Sequence, residues 1–217
     1  METLRDLLDA AARGVFPPAD GRTTVLPQPS AGDAGVMSFT AHTVVFTDED
    51  PRWVHDTLEA IDCDPLSAAM NPVFLAALLA RTDRRCETVD AVLVGHPLPG
   101  GPQLALTEIE DAGHPRIAYA RRRREDVRAW TAEGGVLVMG RGLAGRLEVS
   151  VEIDEGVRQR GLGRALVTAA RRLATEPLWA QVAPGNARSV RAFQAAGYRP
   201  VGAEVLLQRK MPVCPSE

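Results

Sequence analysis

Seven residues in the second half of the chain, Arg158-Gln159-Arg160-Gly161-Leu162-Gly163-Arg164, combine the groups that hold a phosphate. Gly161 and Gly163 remove side chains where a backbone must come close to a ligand. After them Leu162, Ala165, Leu166, Ala169 and Leu173 recur at helical spacing, which predicts a helix starting near Gly163. The first N–H groups of such a helix have no internal partner and lie at the positive end of its dipole. A pyrophosphate placed there gains charge-assisted hydrogen bonds and a dipole contribution of about 0.3–1 kcal/mol per charge. Arg158, Arg160 and Arg164 add fixed positive charge around the same point. No third glycine stands three residues after Gly163, so the dinucleotide fingerprint fails. No Lys-Ser or Lys-Thr follows, so the P-loop fails too.

Two carboxylates precede this loop. Glu148 and Glu152 lie in a predicted strand, Arg146 to Ile153, and their spacing puts both on one face with Ser150. A carboxylate acting through water can deprotonate an amine nucleophile. A lysine-like amine of pKa ~10.4 left protonated at pH 7 forfeits about 4.6 kcal/mol of reactivity.

The elements that must position these groups follow from periodicity. Residues 2–13 read as an amphipathic helix, and Arg22 to Leu26 as a short strand. Val36 to Phe46 reads as one strand. Acidic residues before Pro51 start a helix. A second follows Asn71-Pro72, with Val73, Leu75, Leu78 and Leu79 inward. Val89 to Val94, Leu104 to Ile109 and Arg116 to Arg121 are predicted strands. Asp126 to Thr131, Val136 to Gly140 and Arg146 to Ile153 form an antiparallel meander. Beyond the loop and its helix come a buried strand at Leu178 to Val182 and a helix capped by Asn186, with Gly197 as its C′ residue. Tyr198 to Gln208 supplies closing strands, and the tail from Met211 reads as loose. This order implies an α/β (α+β) fold: a mixed, mostly antiparallel central sheet with flanking helices.

The chain has 217 residues and a formal net charge of -3, which asks for neither nucleic acid nor an acidic membrane surface. Glu2, Arg5, Asp6 and Asp9 exclude a secretory apolar region at the start. No apolar run approaches the ~18 residues of a membrane span. Cys63, Cys86 and Cys214 are odd in number and widely spaced, so no disulfide framework and no metal site is indicated. A reducing cytoplasm is the expected location. In Arg121-Arg122-Arg123-Arg124 alternate residues of a strand would share a face, and a solvated edge is favoured over a phosphate grip.

The ordered set of Arg-x-x-Gly-x-Gly between strand and helix, then Asn186, then Ala196-Gly197-Tyr198, resembles the GCN5-related N-acetyltransferase (GNAT) superfamily. The resemblance covers about Val127 to Lys210. It divides the chain into residues 1–114, an α/β region of unassigned type for which a degenerate GNAT-like lobe is one reading, and a GNAT core at 115–217.

The resemblance implies a splayed parallel strand pair, Leu147 to Asp154 and Leu178 to Ala183, holding an acyl thioester between them. It implies that Arg158, Gln159, Arg160, Gly161, Leu162, Gly163 and Arg164 bind the pyrophosphate of acetyl-CoA, and that the backbones of Val151 and Ile153 bond the pantetheine. Asn186 touches the cofactor or orders its helix. Of the two carboxylates it favours Glu148 as the base, with Glu152 as the other candidate; a strand bulge common in the family leaves the register open by one residue. It implies a Tyr as general acid seven residues after Asn186, where this chain has Phe193. The expected activity is transfer of an acetyl group from acetyl-CoA to a primary amine of unidentified class by direct attack, without metal. The alternative is a non-catalytic acyl-CoA-binding module. Homodimer formation stays open.

Overall fold

The computed structural model describes residues 2–111, 113–157 and 160–209. In chain order the first half contains α1 (Leu4–Ala12), β1 (Thr23–Leu26), β2 (Ala34–Phe39), β3 (His42–Phe46), α2 (Pro51–Glu59), α3 (Pro65–Ala68), α4 (Pro72–Thr82), β4 (Arg84–Arg85) and β5 (Asp90–Gly95). The second contains β6 (Thr107–Ile109), α5 (Pro115–Arg121), β7 (Glu125–Ala132), β8 (Gly135–Arg141), β9 (Leu147–Ile153), α6 (Leu162–Leu173), β10 (Leu178–Val182), α7 (Ala187–Ala195) and β11 (Arg199–Arg209). The predicted loose tail from Met211 lies outside the described residues. No described helix is long and apolar enough to cross a membrane.

Two compact units divide the chain. One comprises residues 1–90 with 202–217, the other residues 91–201. The units divide at 90/91 and 201/202, because β5 pairs with β10 while the later part of β11 returns to β2.

In the first unit β2 pairs antiparallel with β3 and β11, and β1 lies parallel to β3. The predicted strand at Val36 to Phe46 is a hairpin. Its turn uses Ala41 at φ 53°, a left-handed conformation at a residue that carries no turn signal. Asp50, Asp64 and Asn71 each accept a backbone N–H at the start of α2, α3 and α4, with proline next in every case. Phe74, Leu75 and Leu78 pack with Val36, Val54, Val205 and Leu207. Val73 was expected inward. It is 64% exposed, and Phe74 takes the inward place, because the cap at Asn71 sets the phase of the first turn. Arg84 is buried. Its guanidinium donates to the carbonyls of Ala31, Gly32 and Leu207 and to Gln28 Oε1, at 2.9–3.2 Å.

In the second unit the strands run in the order β5-β10-β9-β8-β7-β6. Every neighbouring pair is antiparallel except β9 and β10. On one side α6 buries Leu166, Val167 and Ala170 against Leu137, Met139, Val149 and Leu178. On the other, Ile117 and Ala120 of α5 pack on Ala129, Val136 and Val138. The predicted strand at Arg116 to Arg121 is therefore a helix. Pro115 occupies its first turn, and the His114 ring accepts the Arg116 N–H at 3.2 Å. The arginine run consequently has no alternating faces. Arg122 and Arg123 lie over the Tyr119 ring, 5.8 and 5.1 Å from its centroid, while Arg124 turns inward. Leu104 to Ile109 is strand only at its last three residues.

Candidate active site

The site starts where two strands part. β9 and β10 are paired at Leu147 with Leu178 and at Glu148 with Trp179, and nowhere beyond. Both continue, β9 to Ile153 and β10 to Val182, so a gap opens between them. On its other side β9 is paired with β8 over seven consecutive residues without interruption. No bulge breaks the register on that side, and Glu148, Ser150 and Glu152 share a face. The Asp154 N–H donates to Gly134 O at 2.9 Å, which extends the ladder by one hydrogen-bonded pair. Antiparallel pairs alternate, so Glu152, Ser150 and Glu148 direct their backbone groups toward β8. Val151 and Ile153 direct theirs toward the gap.

A cleft of about 770 Å³ lies at this end of β9. Val151, Glu152 and Ile153 form one wall, Gly161 to Arg164 the floor, and Asn186 with Ser189, Ala192 and Phe193 of α7 the facing wall. Gly161 caps α6 at φ 83°, and no side chain caps the helix. Among the described residues no side chain accepts from the first-turn N–H groups, which leaves them for an anion. A Cβ at Gly161 would meet nothing within 4 Å, so this glycine is required by its left-handed backbone, not by space. A Cβ at Gly163 would meet Ala192 and Ile153 at ordinary contact distances of 3.8 and 3.9 Å. The fold thus has room for a side chain there, and its lack keeps the cleft floor open.

Glu148 is placed differently. It is 4% exposed and does not line the cleft. Arg146 Nε donates to its Oε1 at 2.8 Å and Arg124 Nε to its Oε2 at 2.9 Å. The Leu143 N–H and Gln181 Nε2 each add a contact to Oε1 at 3.3 Å. Burial by itself raises the carboxyl's pKa. The charges of Arg146 and Arg124, with the bonds from Arg146 and Leu143, outweigh it and hold the group below the ordinary glutamate range. Gly142 makes this packing possible, since a Cβ there would stand 2.3–2.4 Å from the carboxylate. Arg146 also lies 5.3 Å from the Trp179 ring centroid, and Arg124 Nη1 reaches Ser150 Oγ at 3.2 Å. The network pins the β8–β9 turn to the start of β7 beside the point where β9 and β10 part.

Residues 107–198 match the family model described as the acetyltransferase (GNAT) family. The chain carries a GNAT domain. Among curated proteins none matches. Among solved structures it is similar to a GCN5-related N-acetyltransferase from Kribbella flavida at 19% identity and a TM-score of 0.42, covering 68% of this chain and 67% of that one. An acetyltransferase of the GNAT family from Colwellia psychrerythraea aligns at 8% identity and a TM-score of 0.40, covering 64% and 63%. A tandem GNAT protein from the clavulanic acid biosynthesis pathway aligns at 16% and 0.36, covering 66% and 59%.

Of the residues that the sequence assigned to this GNAT domain's site, one cleft gathers Val151, Glu152, Ile153, Gly161, Leu162, Gly163, Arg164 and Asn186. Arg160 is exposed and outside the lining, and Glu148, on the same face of β9 as Glu152 but four residues earlier, is outside it too, enclosed in its own network. Arg158 and Gln159 lie outside the described residues. Asn186 accepts the Ser189 N–H at 3.2 Å, so it caps α7 and lines the cleft at once. Phe193 lines the cleft too, and its ring meets that of Tyr198 edge-on at 4.9 Å. The Tyr198 hydroxyl is turned into the core, where it donates to Val167 O at 3.3 Å, and burial pushes its pKa up. Sequence reasoning missed Arg116, Arg188 and Arg191, which also line the cleft. Arg188 carries an available signal: it stands one helical turn before Ala192 on the same face of α7, and Arg191 follows Arg188 at i+3. Arg116 carried none, because its segment reads as a strand.

Proposed function

We propose that the GNAT domain moves an acetyl group from acetyl-CoA to a primary amine by direct attack. The uncapped start of α6, opening into a cleft beside the diverging strands, carries this reading. The pyrophosphate sits on the first-turn N–H groups of α6 and near Arg164. The pantetheine extends a missing strand to β9, bonding the Val151 and Ile153 backbones. Its thioester then lies in the gap, where a Val151 backbone donor polarises the carbonyl; one such donor is typically worth about 3–4 kcal/mol. The amine attacks the carbonyl carbon, the carbon–sulfur bond breaks, and the thiolate takes up a proton from water. A thiol of pKa near ~8.5 leaves without a dedicated acid, which fits Phe193 in place of a hydroxyl-bearing side chain.

The base in this proposal is Glu152. It lines the cleft, and Arg116 Nε holds it at 3.1 Å in a half-exposed pair that water can enter. Glu148 is the poorer candidate, since taking a proton would leave two buried guanidiniums without their carboxylate. Its part is to position β9. An assay of thiol release over a panel of amines tests the proposal, with Glu152→Gln as the control. Turnover that falls steeply in that variant with coenzyme A affinity kept supports it. Tight acetyl-CoA binding with no turnover on any amine supports the non-catalytic binding module instead.

A further inference from the structure

One face of β9 carries two carboxylate–arginine pairs of opposite character. Around Glu148 the pairing is closed, with Arg124 and Arg146 enclosing the carboxylate. Around Glu152 it is open: the Arg116 and Glu152 side chains are 38% and 43% exposed, and both line the cleft. The contact is also incomplete. Arg116 uses Nε alone, on Glu152 Oε2 at 3.1 Å. Among the described residues its terminal nitrogens and Glu152 Oε1 meet no hydrogen-bond partner. Stability does not account for the pair. A half-exposed ion pair is worth little, and Arg116 lies in the first turn of α5, where the helix dipole disfavours a cation.

The pair constrains what can approach. An amine comes to Glu152 as a cation. A bare alkylamine must share the carboxylate with the Arg116 guanidinium, like charge beside like charge. An amine with an anion beside it does not compete in this way. Its ammonium takes the open side of Glu152 and its anion takes the terminal nitrogens of Arg116, so the charges alternate. A carboxylate suits the guanidinium fork, which meets it with parallel donors. In an α-amino acid a single carbon separates ammonium from carboxylate, a spacing that matches a carboxylate and a guanidinium in direct contact.

We propose that the acceptor is an α-amino acid, held with its ammonium on Glu152 and its carboxylate on Arg116. The proposal rests on the acetyl-transfer reading above. The ammonium gives one proton to Glu152. The nitrogen then bonds to the thioester carbon, and the carbon–sulfur bond breaks with its electron pair left on sulfur. The sulfur takes a proton from water, and the nitrogen returns its surplus proton to that water. The carboxylate is unchanged and stays on Arg116, so the product is an N-acetylamino acid.

Thiol release by the full chain tests this with L-amino acids, each beside its α-amide, and with simple alkylamines and diamines. The carboxylate makes the acid's amine the more basic of each pair. Chemistry alone therefore favours the amide, and a preference for the acid reports binding. The wild type should favour at least one acid over its amide by about tenfold or more in kcat/KM, mainly through KM. In Arg116→Gln that ratio should fall to about one, and Arg116→Lys should restore part of it. The ratio is taken within each protein, so a general loss of rate does not enter it. A second readout needs no turnover. In calorimetry on the coenzyme A complex, the N-acetylamino acid should bind Arg116→Gln about tenfold or more weakly than the wild type, while its amide should not distinguish the two proteins. Turnover of amines without preference for the acid overturns this inference and leaves the acetyl-transfer reading standing. A preference that survives in Arg116→Gln, or equal binding of the N-acetylamino acid by both proteins, does the same. No turnover on any amine overturns the acetyl-transfer reading, and this inference with it.

Discussion

Glu148→Gln separates a positioning carboxylate from a catalytic one. The side chain keeps its shape but loses its charge, and one carboxylate oxygen becomes an NH2 group facing a guanidinium donor. Arg124 and Arg146 are left with 9% and 1% of their side chains exposed and no charge between them. Removing one partner of a buried pair costs about 3–5 kcal/mol. For a chain of 150–250 residues each kcal/mol moves Tm by about 2–4 °C, so the expected fall is roughly 6–20 °C. The effect depends on pH with a definite sign. The folded pKa of Glu148 is depressed, so its contribution is fully present above the unfolded glutamate value. It is lost as pH falls through the folded value. The Tm gap between wild type and variant should therefore be largest near neutrality and close on acidification. Circular dichroism melts at several pH values, run beside thiol-release assays, read both quantities. An unchanged Tm with turnover abolished would refute this reasoning and return Glu148 to the role of base.

Three further outcomes are expected. Glu152→Gln should leave Tm within about 0.5 kcal/mol equivalent of wild type, since a half-exposed pair is worth little, while turnover falls by about 10²-fold or more; paired melts and rate assays check it. Gly163→Ala should leave stability unchanged or raise it by up to about 1 kcal/mol, since the Cβ has room, yet weaken coenzyme A binding measured by calorimetry. Gly95→Ala should lower stability by about 1–3 kcal/mol in denaturant melts, because its Cβ would stand 2.7 Å from the Tyr198 ring.

The start of α6 was legible because its parts are local. Gly161 and Gly163 with the apolar stripe of α6 state a helix start in consecutive residues, and Asn186 states another. The meander of β7, β8 and β9 was legible for the same reason, since each strand pairs with its neighbour in sequence. Where local signals conflicted, the reading failed. Arg116 to Arg121 has a strand-like composition, but Pro115 and the His114 ring impose a helix. Val36 to Phe46 looked unbroken because Ala41 turns without glycine or asparagine.

What the sequence could not contain is which of two similar carboxylates lines the cleft. Glu148 and Glu152 share a strand, a face and a chemistry, and spacing places them alike. Arg124 and Arg146 distinguish them, one from 24 residues away, by closing over Glu148 and leaving Glu152 at the cleft beside Arg116. The parting of β9 from β10 after two residue pairs is likewise a matter of packing. A helix start is written in its own four or five residues. The environment of a charge is set by segments distant in the chain, and only folding brings them together.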